Sequence, residues 1–523
     1  QGQLQDTLNL PVLGRPLRLA ASPKGPWLAV TNHRYELWLI QLETKATHRI
    51  EKNDHDRIPG LAWSPCGKYL AYSSPTGRLT ARLQLVEVPA LTVTPLTEGC
   101  FRDVAPHFDP KGRHLYFLSL RDFNPVWDNL FFEMSFPNGM RPYLLRLQAD
   151  SPDPFEFDPN PPEEPKRKKT RKAIEPARID LVDIEKRISA FPVIEGRYGQ
   201  VQGCGDTVWF TRFPVENTLE EDGDVPRGVL VSWDFKTHEA QAASQRVTNF
   251  TTSQDGKFLC YRSHQRLRLV SVEKKPESNE DTPGRKSGWI AGARLRVSVE
   301  PRLEWRQMAR EAWRLMREHF WDAGSGHDWE GIYQRYLPLL DRVGCRSELS
   351  DWLWELQGEL GTSHAYESGG DYLTEPTYLQ GKLGADFVWD ARAKAYRVER
   401  VLEGDVWARA EQAPGRRPGQ WLLRGDLVTH VQNHRLSAEF SPEMALVNQA
   451  RQEVWLQLRR EKTSLRLCLR PLRSETALRY RDWVEANRSW VHQQSGGRLG
   501  YVHVPNMGPW GFSEFHRGFL SEV

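Results

Sequence analysis

The chain has 523 residues, several times the usual domain size, so three or more domains are expected. Hydrophobic content of 39% beside 27% charged residues and 20 tryptophans is a globular profile, and no run reaches the eighteen or so apolar residues of a membrane span. A formal net charge of +3 over this length points to neither nucleic acid nor a membrane surface as a partner.

A polar turn followed by a strand-like run recurs through the first half: SPKGPWLAV (Ser22 to Val30), SPCGKYLAY (Ser64 to Tyr72), DPKGRHLYF (Asp109 to Phe117) and SQDGKFLCY (Ser253 to Tyr261). GCGDTVWFTRF, Gly203 to Phe213, reads as a degenerate fifth copy. Gly25 to Gly67 spans 42 residues and Gly67 to Gly112 spans 45, the length of a four-stranded propeller blade. The turn residues suit a tight reversal, and the residues after them are β-branched, aromatic or aliphatic. This predicts a β-propeller over 1–273. Five copies are fewer than a seven-bladed ring needs, so sequence before Gln1 is expected.

Between the third and fourth copies, proline density and the basic run KRKKTRK (166–172) predict a long solvated loop rather than a nucleic-acid contact, followed by a strand at RIDLVDI (178–184). A polar stretch at 274–288 has linker composition, giving a linker at 274–297.

From Pro301 the period becomes helical, with Trp305, Met308, Ala309, Ala312, Leu315, Met316 and Phe320 on one stripe. DWEGIYQRYLPLL predicts a second helix. SELSDWLWELQGEL predicts a third, lined by Leu349, Trp352, Leu353, Leu356 and Leu360 and capped by Ser347. These form a small helical subdomain over 298–372. His364 stands just past the third helix, between Gly361 and the Gly369–Gly370 pair.

From Gln380 the chain turns strand-rich, and LLRGDLVTHVQNHRL, ending at Leu436, resembles the central strand and turn of a PDZ domain, implying a PDZ-like domain over 380–473 with a groove for extended peptide. Residues 474–523 are expected to hold a linker and then, in RLGYVHVPNMGPWGFSEFHRGFL, a strand and a helix that begin an α/β domain.

The six cysteines (Cys66, Cys100, Cys204, Cys260, Cys345, Cys468) form no C-x-x-C, which predicts free thiols in a reducing compartment, the cytoplasm, and no zinc site. No metal or other cofactor is expected. Gln1 is no initiator methionine, no export signal follows it, and the final helix has barely begun at Val523, so a fragment of a longer polypeptide is expected.

Ser363 and His364 are adjacent, so their side chains point apart in an extended turn and Ser363 is poorly placed as a nucleophile for His364. The sequence GELGTSHAYESGGDY, the three helices before it, YLQGKLGADF after it and RLGYVHVPNMGPWGFSEFHR together resemble the tricorn protease family. That resemblance implies a multidomain serine peptidase with propeller, helical, PDZ and α/β parts, acting on peptides in an enclosed chamber and assembling as a homohexamer. By the same resemblance His364 is the catalytic base and Ser363 the serine that orients it. The nucleophile, the oxyanion donors and the orienting acid are expected outside these residues. Two other readings are a non-enzymatic propeller and PDZ scaffold that binds peptides, and a carboxyl-terminal processing peptidase with a serine and lysine pair.

Overall fold

A computed structural model describes residues 7–129, 132–156, 178–215, 227–272, 281–322, 326–405, 412–416, 419 and 421–523. The basic run at 166–172 and residues 274–280 of the expected linker lie outside them. The chain divides into two compact units, 1–370 and 371–523.

Among the described residues, the first unit opens with five antiparallel blades. Their first strands are Pro16–Ala21, Leu61–Trp63, Arg102–Phe108, Arg197–Cys204 and Asn249–Thr252. The reason five similar sheets form is visible at their first turns. Gly25, Gly67, Gly112, Gly205 and Gly256 each join the first strand of a blade to its second, and all five have positive φ, between 64° and 91°. In three of the turns the residue three positions before the glycine accepts its N–H, at 2.9 Å for Ser64, 2.8 Å for Asp109 and 2.9 Å for Ser253. The repeated motifs are therefore equivalent elements of successive blades.

Alternation along the second strands buries both faces. In Tyr69–Pro75, Leu70 and Tyr72 pack with Leu37 and Leu39 of the first blade, while Ala71 packs with Phe108 and Phe117 of the third. In His114–Leu120, Leu115 and Phe117 face the second blade, whereas Tyr116 and Leu118 meet Tyr198, Phe210 and Trp233 of the fourth. Polar side chains stitch the blades: Trp63 Nε1 donates to the Ala20 carbonyl at 2.8 Å, and Gln200 and Gln202 accept the Phe250 and Thr252 amides, each at 3.0 Å. The second and third blades form one eight-stranded sheet through a parallel contact of Ala81 with Arg102.

The strand predicted over 178–184 is absent. That segment runs irregularly into a 3-10 turn at Ile184–Arg187, with Asp183 at φ 53°, and the sheet strand is Ile188–Ala190. The buried Arg187 guanidinium donates to the carbonyls of Val182 and Arg146 at 3.0 and 3.1 Å, and the first of these is a group a ladder would otherwise use.

Three helices follow: α1 (Pro301–His319), α2 (Trp329–Leu340) and α3 (Arg346–Gly358). Apart from Leu315, the predicted α1 stripe meets the core, but the most buried aromatic of α1 is Trp313, which the stripe omits. Trp313 and Trp329 exchange hydrogen bonds, each indole N–H donating to the other's carbonyl at 2.9 Å. The predicted α3 face is buried throughout, at Leu349, Trp352, Leu353, Leu356 and Leu360. Ser347 is not the cap, because α3 already begins at Arg346. Instead the Glu348 carboxylate accepts the Gly344 amide at 2.6 Å.

The second unit holds a six-stranded antiparallel sheet in the order Ala385–Asp390, Ala395–Val401, Leu427–Val431, Val454–Arg460, Thr463–Leu469, with His434–Arg435 beside the third strand. Val398, Val428, Val431, Leu456 and Leu458 make its core, next to the short α4 (Pro442–Ala445), whose amide at Met444 is capped by Ser441 Oγ at 3.3 Å. Asp426, on the turn entering the central strand, is buried and takes both arms of Arg460 at 2.8 Å.

Where a linker was predicted after 474, the chain forms α5 (Thr476–Ser495), and the predicted strand near Tyr501 is an extended stretch outside any sheet. Its polar groups are taken by side chains: the Tyr501 amide donates to Glu522 at 3.1 Å, and Tyr480 Oη lies 3.1 Å from His503 Nδ1. Helix α6 (Pro509–Glu522) is tied to the rest of this unit by charge, with Arg517 on buried Asp405 at 2.5 and 3.1 Å and Arg481 of α5 on both oxygens of Glu514 at 2.8 and 2.7 Å. Among the described residues no helix is long and apolar enough to cross a membrane.

Candidate active site

Helix α3 unwinds by a tight terminal turn, in which the amides of Leu360 and Gly361 donate to the carbonyls of Gln357 and Gly358 at 3.0 Å each. Leu360 stays in the core, and Gly361, at φ 60°, turns the chain outward as a left-handed residue after a helix commonly does. Thr362, Ser363 and His364 follow as exposed residues. His364 itself has φ 65°, a region that costs a side-chain-bearing residue of the order of 1–2 kcal/mol and that is occupied only where neighbouring structure imposes it.

The turn is gripped further along. Arg346, the first residue of α3, is buried; its guanidinium donates to the Gly369 carbonyl at 2.8 Å, to Ser350 Oγ at 2.6 Å, and forms a close ion pair with Glu367. Gly370 sits against the same guanidinium with φ 137°; a Cβ there would lie 2.6 Å from Arg346 Nε. Gly361 thus opens the turn and the Gly369–Gly370 pair closes it, as the sequence suggests, but the arginine that grips the closing end carries no local sequence signal.

Within the turn, the His364 ring meets Tyr366 edge-on with centroids 6.0 Å apart, and Tyr366 Oη lies 3.2 Å from His364 Nδ1. Tyr366 leans in turn on Trp354 of α3, with centroids 6.4 Å apart. Ser363 is placed differently: its carbonyl accepts from Thr362 Oγ1 at 3.3 Å, and its hydroxyl is not hydrogen-bonded to the imidazole. The turn therefore presents a solvent-facing imidazole with one nitrogen beside a phenol and the other open, an arrangement able to accept a proton. Sequence reasoning did not single out Tyr366.

Three family models match the chain: the tricorn protease second beta propeller domain over residues 2–273, the tricorn protease C1 domain over 301–358 and the tricorn protease PDZ domain over 381–474. His364 lies between the second and third matches. A tricorn protease homolog of Saccharolobus solfataricus is 34% identical over 506 residues, covering 97% of this chain and 46% of the relative. Tricorn protease homolog 1 of Streptomyces coelicolor is 35% identical over 526 residues, covering 98% and 49%. The crystal structure of the tricorn protease superposes with a TM-score of 0.84 at 27% identity, covering 97% of this chain and 49% of that one. The chain spans about half the length of these relatives. With blades, three-helix subdomain and PDZ sheet all matched in the same order, the chain belongs to the tricorn protease family.

Proposed function

We propose that this chain supplies the general base of a tricorn-type serine peptidase, with His364 in that role. The observation that carries the reading is the exposed imidazole held on a glycine-bounded turn gripped by a buried arginine, in a chain of this family. In the proposed step a serine hydroxyl, not assigned within these 523 residues, gives its proton to His364 Nε2 as its oxygen attacks a peptide carbonyl. The imidazolium then returns the proton to the leaving amine as the acyl-enzyme forms. For Nε2 to be free, Nδ1 must carry the other proton and donate it to an oxygen. The resemblance gives that acceptor role to Ser363, whereas Tyr366 Oη is the hydroxyl beside Nδ1 in this structure. Short peptides reaching an enclosed chamber are the proposed substrates, in a cytoplasmic homo-oligomer that the family resemblance makes a hexamer.

The test is steady-state kinetics of the full-length protein on a fluorogenic tripeptide. His364→Ala is expected to lower kcat by about 10²–10⁴-fold or more with little change in KM, because a general base acts in the transition state. Ser363→Ala is expected to lose less, and comparison with Tyr366→Phe separates the two candidate partners of Nδ1. Near-normal kcat in a folded His364→Ala variant, with folding checked by circular dichroism, would remove the base from this proposal.

A further inference from the structure

We infer that Arg346 is a positioning residue for the His364 turn, clamping it through Glu367 and the Gly369 carbonyl so that the imidazole is presented in one orientation; the inference rests on His364 being the base. Helix α3, 13 residues from Arg346 to Gly358, is about 20 Å long, and the turn leaves its far end. Three residues after His364 the chain is back at the near end, where Arg346 holds it. The imidazole is thus carried by a strap fixed to both ends of one rigid helix, at Leu360 in the core and at the guanidinium. The hydrogen bonds of Thr362 and Tyr366 are local to the strap, whose one further hold on α3 among the contacts described above is the edge-on meeting of the Tyr366 and Trp354 rings.

The chemistry of the clamp argues for geometry rather than stability. A buried guanidinium with a carboxylate is seldom better for folding than apolar side chains of similar volume, since both ions must be stripped of water. What the guanidinium offers that a methionine would not is directional donors. Arg346 uses them on three acceptors from two segments: Ser350 on its own helix, and Glu367 and Gly369 on the strap. Nη1 donates to Ser350, which orients the guanidinium, and Nη2 donates to both strap acceptors. The contact surface is shaped for it as well, because any side chain at 370 would enter the guanidinium. Displacing a reacting group by about 1 Å can cost on the order of a hundredfold in rate, so loosening this end of the strap should be felt at the imidazole without touching it.

The test uses the full-length protein and the tripeptide assay. The double variant Arg346→Met with Glu367→Leu removes both charges together, leaving no unpaired ion. It is expected to keep its far-ultraviolet circular dichroism and melting temperature while kcat falls about tenfold to a hundredfold and KM stays within about twofold. Arg346→Lys, which keeps the charge but not the fork, is expected to recover only part of the loss. If the double variant does not fold, Gly370→Ala and Glu367→Gln serve instead, with the same signature of lowered kcat at constant KM. Wild-type kcat in these folded variants overturns the inference while leaving His364→Ala free to confirm the base. An active His364→Ala variant overturns the base reading itself, whatever Arg346 does.

Discussion

Replacement of Gly67 by alanine isolates how successive blades rest on one another. Gly67 lies at φ 72°, which alone costs an alanine of the order of 1–2 kcal/mol. Its Cβ would also stand 2.3 Å from the Lys24 carbonyl oxygen and 2.8 Å from Ser22 Oγ, both on the corresponding turn of the preceding blade. Relieving that overlap requires one turn to move against the other by about 1 Å, and overpacking of this kind typically adds 1–3 kcal/mol. Gly205 is the internal control: it occupies the same position of the fourth blade at φ 64°, with nothing within 4 Å of its Cβ, so only the backbone cost applies. Differential scanning calorimetry of the two variants is expected to lower the propeller transition about twice as far for Gly67→Ala as for Gly205→Ala. At the usual 2–4 °C per kcal/mol, that is a shift of about 5–15 °C for Gly67→Ala. Equal shifts would refute the idea that neighbouring turns bear on each other.

In the PDZ-like sheet, Asp426→Ala strips the partner from Arg460 and leaves the Leu423 amide without its carboxylate; a loss of about 2–4 kcal/mol is expected in urea titration, and Asp426→Asn should recover part of it. Burial pushes the His114 imidazole down to about 4, with Arg113 and Arg146 opposing its charge in the same direction. An unfolded histidine titrates near 6.5, so above that pH the group contributes nothing. As pH falls from 6.5 towards 4 the unfolded chain binds a proton that the folded one refuses, and stability drops, by about 2 kcal/mol at pH 5. His114→Phe, flanked by the rings of Tyr116 and Phe235, is expected to remove that part of the loss when urea midpoints at pH 7 and pH 5 are compared.

The parts of this fold that the sequence discloses are those governed by short-range rules. The blade turns were legible because a glycine at positive φ, a polar residue three positions earlier and a run of alternating apolar residues all sit within nine positions. The α3 face was legible because an unbroken 3.6-residue stripe admits one solution. Helix α5 was not, since its buried face includes Arg481 between Leu478 and Val484, and an ion-paired arginine reads as surface. The strand expected at 178–184 failed for a related reason: Arg187 takes the carbonyl of Val182, five positions earlier, together with that of Arg146, 41 positions earlier, and no local pattern announces the second. At the candidate site the motif located His364, while the grip on its turn comes from Arg346, 18 positions earlier, and could be found only once α3 was folded.

The parallel bridge of Ala81 with Arg102 joins the second and third blades through the main chain, and Met140 and Gly196 exchange amide-to-carbonyl bonds of 3.2 and 2.9 Å between the third and fourth, whereas side chains tie the first blade to the second and the fourth to the fifth. In a linear array each junction sets how far a local opening spreads. A junction sealed by main-chain bonds transmits strain from strand to strand, whereas a side-chain junction can slip and absorb it. Bending of the array is therefore directed away from the second, third and fourth blades, which act as its stiff segment, towards the seams with the first and the fifth.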